Sequence, residues 1–259
     1  MANIFTITTL LISVPIAELC FVYIATLYGG SISLTTPMLW ALSFIATFLI
    51  GGVTGIFLGA SGADIYMHDT YFVLAHFHYT FYPIAIIGTF AGFTYWFPKM
   101  FGRKMNETAG KWHFFLTFTF LNGTFFLMHI LGAVGFPRRL ADPYHYATFK
   151  HLLPMNQFIT YCAIGMVASQ VIFAANFFYS IFKGPKVGRN PWNANGLEWM
   201  APSPPGHGNF DFQPIVYRGP YEYNSPEVET DFYPQTQPPP DGVEPVSYTH
   251  LTLPTNREV

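Results

Sequence analysis

The stretch His68-Asp69-Thr70-Tyr71-Phe72-Val73-Leu74-Ala75-His76-Phe77-His78 sets three imidazoles and a carboxylate at the head of an otherwise apolar run. Ionisable side chains at membrane depth are costly, so their presence there reads first as function. On an α-helix, residues two apart point about 200° away from each other. His76 and His78 therefore cannot grip one metal ion as an i, i+4 pair does. They can hold two different cofactors, one on each side of the same helix. Imidazole is the usual proximal ligand of haem iron, and the surrounding Phe, Tyr and Trp offer a flat apolar wall to a porphyrin. The competing reading is two polar residues satisfied by neighbouring helices or water. Two imidazoles on opposite faces of one span, with His68 and Asp69 ahead of them, weigh against it.

The rest of the chain supplies the membrane setting. It is 51% hydrophobic and only 10% charged, against roughly 25% charged in soluble domains. Mean hydropathy is +0.30 over the whole length despite a polar C-terminal end. The net charge of −2, without a basic stripe, gives nucleic acid no footing. Cys20 and Cys162 fall in separate apolar stretches and read as small hydrophobes. The first residues lack the basic region and small-residue cleavage site of a secretory signal.

A bilayer span needs about 20 apolar residues. Five stretches qualify, near 4–28, 38–60, 73–97, 113–136 and 155–182. The expected fold is thus an all-α membrane protein, with a transmembrane bundle over 1–183. Lys99, Arg103, Lys104 and Lys111 lie between the third and fourth spans, and Lys183, Lys186 and Arg189 follow the fifth. The positive-inside tendency makes that side cytoplasmic. From residue 184 to 245 prolines break any helix, and the segment reads as an irregular cytoplasmic tail ordered where it packs on a partner. Residues 246–259 abandon the Pro-rich acidic pattern and read as non-native read-through. The opening, which enters a span almost at once, reads as truncated.

Further polar residues stand out against this background. His68 beside Asp69 suits a hard divalent ion such as magnesium or manganese, with waters completing the shell. The alternative is an interfacial hydrogen-bonded pair. Arg138 and Arg139 sit on the side disfavoured for basic residues, and arginine forks bind carboxylates such as haem propionates; headgroup anchoring is the competing reading. Glu18 lies inside the first span, three residues after Pro15. A carboxylate there is neutral and bonded to freed backbone, or part of a proton route. Asn122 and His129 lie within the fourth span and suit interhelical hydrogen bonding. His113, His145, His151, His207 and His250 receive no role.

HDTYFVLAHFHY, preceded by TPMLW and GGVTGIFLGASGADIYM and followed by YWFPKMFGRK, GFPRR and NPWNANGLEW, closely resembles subunit I of the haem–copper oxidases, nearest the cytochrome c oxidase type. The resemblance covers roughly residues 10 to 215. It implies a twelve-helix subunit, of which this chain is similar to the last five. It implies that His76 is the axial ligand of the high-spin haem, where oxygen binds, and His78 an axial ligand of the low-spin haem. It implies that His68 and Asp69 are ligands of a magnesium or manganese ion. Asp64 would stand near a propionate of the high-spin haem, and Arg138 and Arg139 would hold propionates. The implied cofactors are two haems, a-type by the cytochrome c oxidase match, with copper and magnesium or manganese. The implied partners are other oxidase subunits, including the dinuclear-copper subunit II, with cytochrome c as donor and lipid around the bundle.

Two features depart from that family. Its copper histidines, its cross-linked tyrosine and the second low-spin haem ligand belong to helices upstream of the matched region, so this piece alone is expected to be inactive. Val14-Pro15-Ile16-Ala17-Glu18-Leu19 places Ile16 and Leu19 where the family has the Thr and Lys of a proton-input path. Glu18 adjoins that track, turned about 100° on the helix, and is expected to take over proton delivery unless the route differs. The function implied is reduction of oxygen to water coupled to proton translocation, in the bacterial plasma membrane rather than the mitochondrial inner membrane. A nitric oxide reductase or quinol oxidase on the same scaffold is the alternative. A non-catalytic two-haem carrier or a purely structural bundle are readings of another class.

Overall fold

A computed structural model describes residues 2–217, 219 and 232–238. The proposed read-through over 246–259 lies outside the described residues, as do the tail prolines 220 and 226. The chain is all-helical, with no strand among the described residues. It separates into two compact units, one of Met1–Tyr95 with Asn106–Tyr179, the other of Trp96–Met105 with the chain from Ser180 onward.

The first unit is a bundle. Helix α1 runs Ala2–Leu27 and α2 runs Thr36–Gly59. A short α3, Ser61–Met67, leads to α4 at Tyr71–Tyr82. A π-helical turn at Pro83–Ile87 joins α4 to α5, Gly88–Phe101. Then come α6, Glu107–Ala133, and α7, Leu153–Lys183. Four helical segments have the length and composition to cross a membrane: Ile4–Leu27, Thr36–Gly59, Glu107–Ala133 and Ala147–Lys183. The expected third span is present but divided, with α4 and α5 of 12 and 14 residues on either side of the turn. Pro83 has no N–H to return to the Tyr79 carbonyl and its ring crowds that turn, so the α pattern cannot run through it. The widened π turn, closed by the Gly88 N–H on the Pro83 carbonyl, absorbs the fault.

Helix starts are fixed locally. Thr70 caps α4, its hydroxyl accepting from the Phe72 N–H at 3.2 Å. Asn106 caps α6 through the Ala109 N–H at 2.9 Å. The core joins α2, α4, the π turn and α6 through Trp40, Tyr79, Ile87, Phe114, Leu121 and Phe125. Glycines set the approach of these helices. A Cβ at Gly51 of α2 would lie 2.6 Å from the Tyr79 carbonyl oxygen, and one at Gly132 of α6 would lie 1.9 Å from the Phe72 nitrogen. The outward faces of α1 and α7 keep large apolar side chains exposed, among them Phe5, Leu11, Phe21, Val167 and Phe182. Such faces belong against lipid or other helices.

The second unit corrects one expectation about the tail. The segment after residue 184 was expected to be ordered where it packs on a partner, yet it is held by its own chain. Lys99 Nζ donates to the Ala201 carbonyl at 2.7 Å and the Arg189 carbonyl at 3.1 Å, with the buried Trp199 ring 5.1 Å away. Arg103 donates to the Gly184 carbonyl, and the Lys104 N–H to the Pro185 carbonyl at 3.0 Å. Arg189 pairs in turn with Asp211. The prolines prevent a helix, and the cations bind the carbonyls thereby left free.

Candidate functional site

His76 and His78 lie on α4 and face opposite ways. The His76 ring rests on α2, where a Cβ at Gly55 would come within 2.8 Å of its Cε1. Its Nδ1 donates to the Gly51 carbonyl at 2.9 Å and lies 3.2 Å from the Thr54 hydroxyl. His78 stacks on Phe125 of α6, with ring centroids 4.1 Å apart and planes 11° apart. Its Nδ1 donates to the Leu74 carbonyl at 2.7 Å. A carbonyl can only accept, so each imidazole carries its proton on Nδ1 and leaves the Nε2 lone pair for a ligand. Neither Nε2 has a hydrogen bond among the described residues. A neutral imidazole with Nδ1–H held by a carbonyl is the arrangement in which protein histidines bind metals. The donor set fits an iron ligand on each side of α4, with glycines beside His76 and the Phe125 ring beside His78.

Four of the other candidates meet at the N-terminal corner of the same helix. His68 lies between two carboxylates, its Nδ1 3.6 Å from Asp64 Oδ2 and its Nε2 3.7 Å from Asp69 Oδ2. Arg138 binds the other oxygen of Asp69, from Nε at 2.9 Å and from Nη2 at 2.8 Å. The backbones are tied as well, Arg138 N–H to the Asp69 carbonyl at 2.9 Å and Tyr71 N–H to the Phe136 carbonyl at 3.0 Å. Asp69 and Arg139 adopt positive φ, 56° and 65°, which side-chain-bearing residues rarely do. That conformation turns the chain sharply enough to set Asp69 against Arg138. The Arg138 guanidinium holds the Asp69 carboxyl below the ordinary aspartate range. Arg139 is exposed, with no ion pair among the described residues.

The His68–Asp69 pair fits a divalent ion only in part. Asp69 Oδ2 and His68 Nε2 face each other, but Asp69 Oδ1 is engaged by Arg138. No group of three or more His, Cys, Asp and Glu is arranged to hold a metal ion among the described residues. The corner supplies two donors, and the rest of a coordination shell would come from water or from elsewhere.

Glu18 is far less enclosed. It is exposed on α1, in an open groove of about 640 Å³ lined also by Ser13, Val14, Ala17, Phe21 and Ile56. Ser13, the other polar lining residue, donates back to the Leu10 carbonyl of its own helix at 2.6 Å.

Two polar features escaped the sequence reading. His113 was placed at a span edge, yet it is 1% exposed. It joins a buried α6–α7 network: His113 Nε2 to Gln170 Oε1 at 3.1 Å, Gln170 Nε2 to Thr117 Oγ1 at 3.1 Å, and Thr117 Oγ1 to Ser169 Oγ at 2.7 Å. The signal was the i, i+4 spacing of His113 and Thr117 on an apolar helix. Asn122 makes its expected interhelical bond, accepting from the Tyr79 hydroxyl at 2.6 Å. His129 does not: neither ring nitrogen makes a hydrogen bond of ordinary geometry, and the carbonyls that approach its ring, those of Phe125 and Phe126, belong to its own helix.

Among the described residues, a membrane bundle with one broken helix presents two imidazoles back to back beside an Asp–Arg corner, the form of a subunit that can hold two separate groups on one helix. Residues 1–165 match the family described as cytochrome c and quinol oxidase polypeptide I, and the chain belongs to it. It is 45% identical over 243 residues to an alternative cytochrome c oxidase subunit 1 of Bradyrhizobium diazoefficiens, covering 92% of this chain and 41% of that protein. It is 44% identical over 219 residues to cytochrome c oxidase subunit 1 of Synechocystis, covering 85% and 39%. It is 38% identical over 238 residues to quinol oxidase subunit 1 of Bacillus spizizenii, covering 91% and 36%. The chain thus spans about two fifths of the length of these relatives. Membership implies haem and copper as the cofactors of the family and an oxidoreductase setting in a multi-subunit membrane complex.

Proposed function

We propose that this chain is the C-terminal part of the catalytic subunit of a bacterial terminal oxidase that reduces oxygen to water at the plasma membrane. The observation that carries the reading is the matched pair of imidazoles: one faces α2 and the other α6, and each has Nδ1–H on a carbonyl and Nε2 left to donate. In this reading His76 would hold the oxygen-reducing haem and His78 the electron-feeding haem. When bound, the haems and copper supply electron transfer and the oxygen chemistry. The chain's own part is to orient and enclose. The Gly51 carbonyl fixes the His76 tautomer and strengthens Nε2 as a donor. Phe125 fixes the plane of His78. Arg139 would meet a propionate, as would Arg138 beside its bond to Asp69, a bond that holds the Asp69 carboxyl below its ordinary range. His68 and Asp69 lend two ligands to a magnesium or manganese ion, with Asp64 beside His68.

Glu18 carries protons inward in place of the Thr and Lys for which this chain has Ile16 and Leu19. Its groove-lining position on α1 supports this, since a carboxylate at the bundle surface can meet water or a helix of the rest of the subunit. Cytochrome c is the donor, through a dinuclear-copper partner subunit. The quinol oxidase relative keeps a second reading open, in which quinol feeds the same haems. Turnover of the intact complex decides between them, with reduced cytochrome c and quinol as donors and oxygen and nitric oxide as acceptors. Oxygen uptake from cytochrome c, lost in His76→Ala, is the expected result. Nitric oxide consumption without oxygen uptake would overturn it.

A further inference from the structure

His129 lies in the seam between α4 and α6 and belongs to neither the ligand pair nor the outer corner. Its ring is 8% exposed and enclosed by Phe72, Tyr79 and Phe126 at centroid distances of 5.1, 5.4 and 6.2 Å. Both ring nitrogens are shielded from solvent and make no hydrogen bond of ordinary geometry, although the Phe126 and Phe125 carbonyls of the same helix approach the ring closely enough for one nitrogen to lean on them. Gly132, three residues on, brings α6 into backbone contact with α4, so the seam cannot open to relieve them. Buried polar atoms are almost always hydrogen-bonded, to protein or to ordered water.

The surroundings narrow what the partner is. The Phe125 and Phe126 carbonyls flank the ring. If Nδ1 swings onto one of them, as His78 does onto Leu74, Nε2 still keeps a bare lone pair. The Tyr79 hydroxyl cannot donate to it, because its hydrogen is given to Asn122 at 2.6 Å. Aromatic faces repel a lone pair, and aromatic edges are poor donors. Trp40, the other residue with a buried unpaired nitrogen, differs in kind: its N–H can rest against the rings of Phe90, Phe114 and His113.

We propose that His129 forms the wall of an internal water site between α4 and α6. The ligand is a small neutral hydrogen-bond donor, and water is the smallest that can also donate a second hydrogen to a neighbouring oxygen. A buried water needs two to four polar partners. A His129 nitrogen accepts from it, and the Phe125 or Phe126 carbonyl or the Tyr79 hydroxyl oxygen accepts its second hydrogen. The water thereby extends the Tyr79–Asn122 pair into a polar chain between the helix that carries His76 and His78 and its neighbour. Nothing in this depends on haem being bound at either histidine.

The test is a high-resolution structure of the whole complex in lipid, together with solid-state NMR on histidine-labelled protein. Ordered density within hydrogen-bond distance of a His129 nitrogen, and a His129 resonance exchanging with water, are expected. Both are lost in His129→Phe and the density is kept in His129→Gln, whose amide can bind the same water. An empty seam, or both nitrogens bonded to protein atoms, would overturn the proposal. The wild-type structure decides even if His129→Phe fails to assemble.

Discussion

Gly55→Ala should leave the bundle standing while displacing its ligand. The new Cβ would lie 2.8 Å from His76 Cε1 and 3.5 Å from both ring nitrogens. Non-bonded carbons settle at about 3.5–4.0 Å, so the imidazole must withdraw by about 0.7–1.2 Å. Its anchor to the Gly51 carbonyl is 2.9 Å long, and a shift of that size weakens or breaks it. Misplacing a group by about 1 Å near reacting atoms can cost on the order of 100-fold in rate. Two companion variants calibrate the claim. At Gly51 the obstacle is the Tyr79 carbonyl, and at Gly132 it is the Phe72 backbone. Backbone cannot step aside as a side chain can, so Gly51→Ala and Gly132→Ala should fail in assembly, overpacking by about 1–3 kcal/mol or more. The assay is the yield of assembled complex, the reduced-minus-oxidised spectrum and the carbon monoxide difference spectrum, with turnover. Normal yield with an altered carbon monoxide spectrum is expected for Gly55→Ala. A wild-type carbon monoxide spectrum and turnover would refute the assignment of His76, and normal assembly of Gly51→Ala would refute the packing argument.

Three further outcomes are expected. Arg138 lowers the Asp69 carboxyl pKa, so this contact stabilises the fold above the unfolded aspartate value and is lost as pH falls through the depressed folded value. Asp69→Asn should flatten the acid limb of a melting-temperature profile of the complex while leaving the slope near neutrality unchanged. Lys99→Met strips two carbonyls of a charged donor worth roughly 1.5–3 kcal/mol each, so proteolysis within 184–217 should accelerate at least about tenfold; an unchanged digestion rate would show that the tail is held by something else. Glu18→Gln in the intact complex should slow oxygen turnover about 100-fold, the lower end of acid–base contributions, and unaltered turnover would remove Glu18 from the proton route.

What the sequence could show follows from which contacts are local. Hydropathy marks five apolar stretches because a bilayer acts on each separately, and four of them coincide with helices long and apolar enough to cross a membrane while the third is divided. The 200° separation of His76 and His78 needed only helix geometry, and the two rings do meet different helices. The Asp69–Arg138 bond joins residues 69 apart, and nothing local to either foretells it. Their sequence reading points outward, to a metal ion and to propionates, and the structure adds a bond between the two that neither role requires. His113 was misjudged because the fourth span was started too late: α6 begins at Glu107, so His113 lies nearly two turns inside. The tail was legible as non-helical but not as anchored, because the anchoring Lys99 and Arg103 sit some 80 to 100 residues earlier and had been read only as topology signals.

The break in the third span and the orientation of His76 are one arrangement. Pro83 withholds a hydrogen bond from the Tyr79 carbonyl and forces the π turn. A freed carbonyl is a liability where lipid or a bulky side chain covers it. Here Gly51 packs against it, and the close approach leaves no room for a Cβ. Because Gly51 brings α2 that close to α4, its own carbonyl comes within 2.9 Å of His76 Nδ1 and fixes which nitrogen remains to donate. Replacing Pro83 by alanine would restore the missing N–H and let α4 and α5 run on as a regular helix. It should stabilise that helix locally, since an interior proline costs about 3 kcal/mol. Closing the π turn would also remove its extra residue and rotate α5 against α4 by about 100°. The core residues on the two sides, Tyr79 and Ile87, could then no longer face the same neighbours. Pro83→Ala should therefore lower the yield of assembled complex despite its better helix former. A variant that assembles normally with an unchanged carbon monoxide spectrum would show that the break and the ligand geometry are independent.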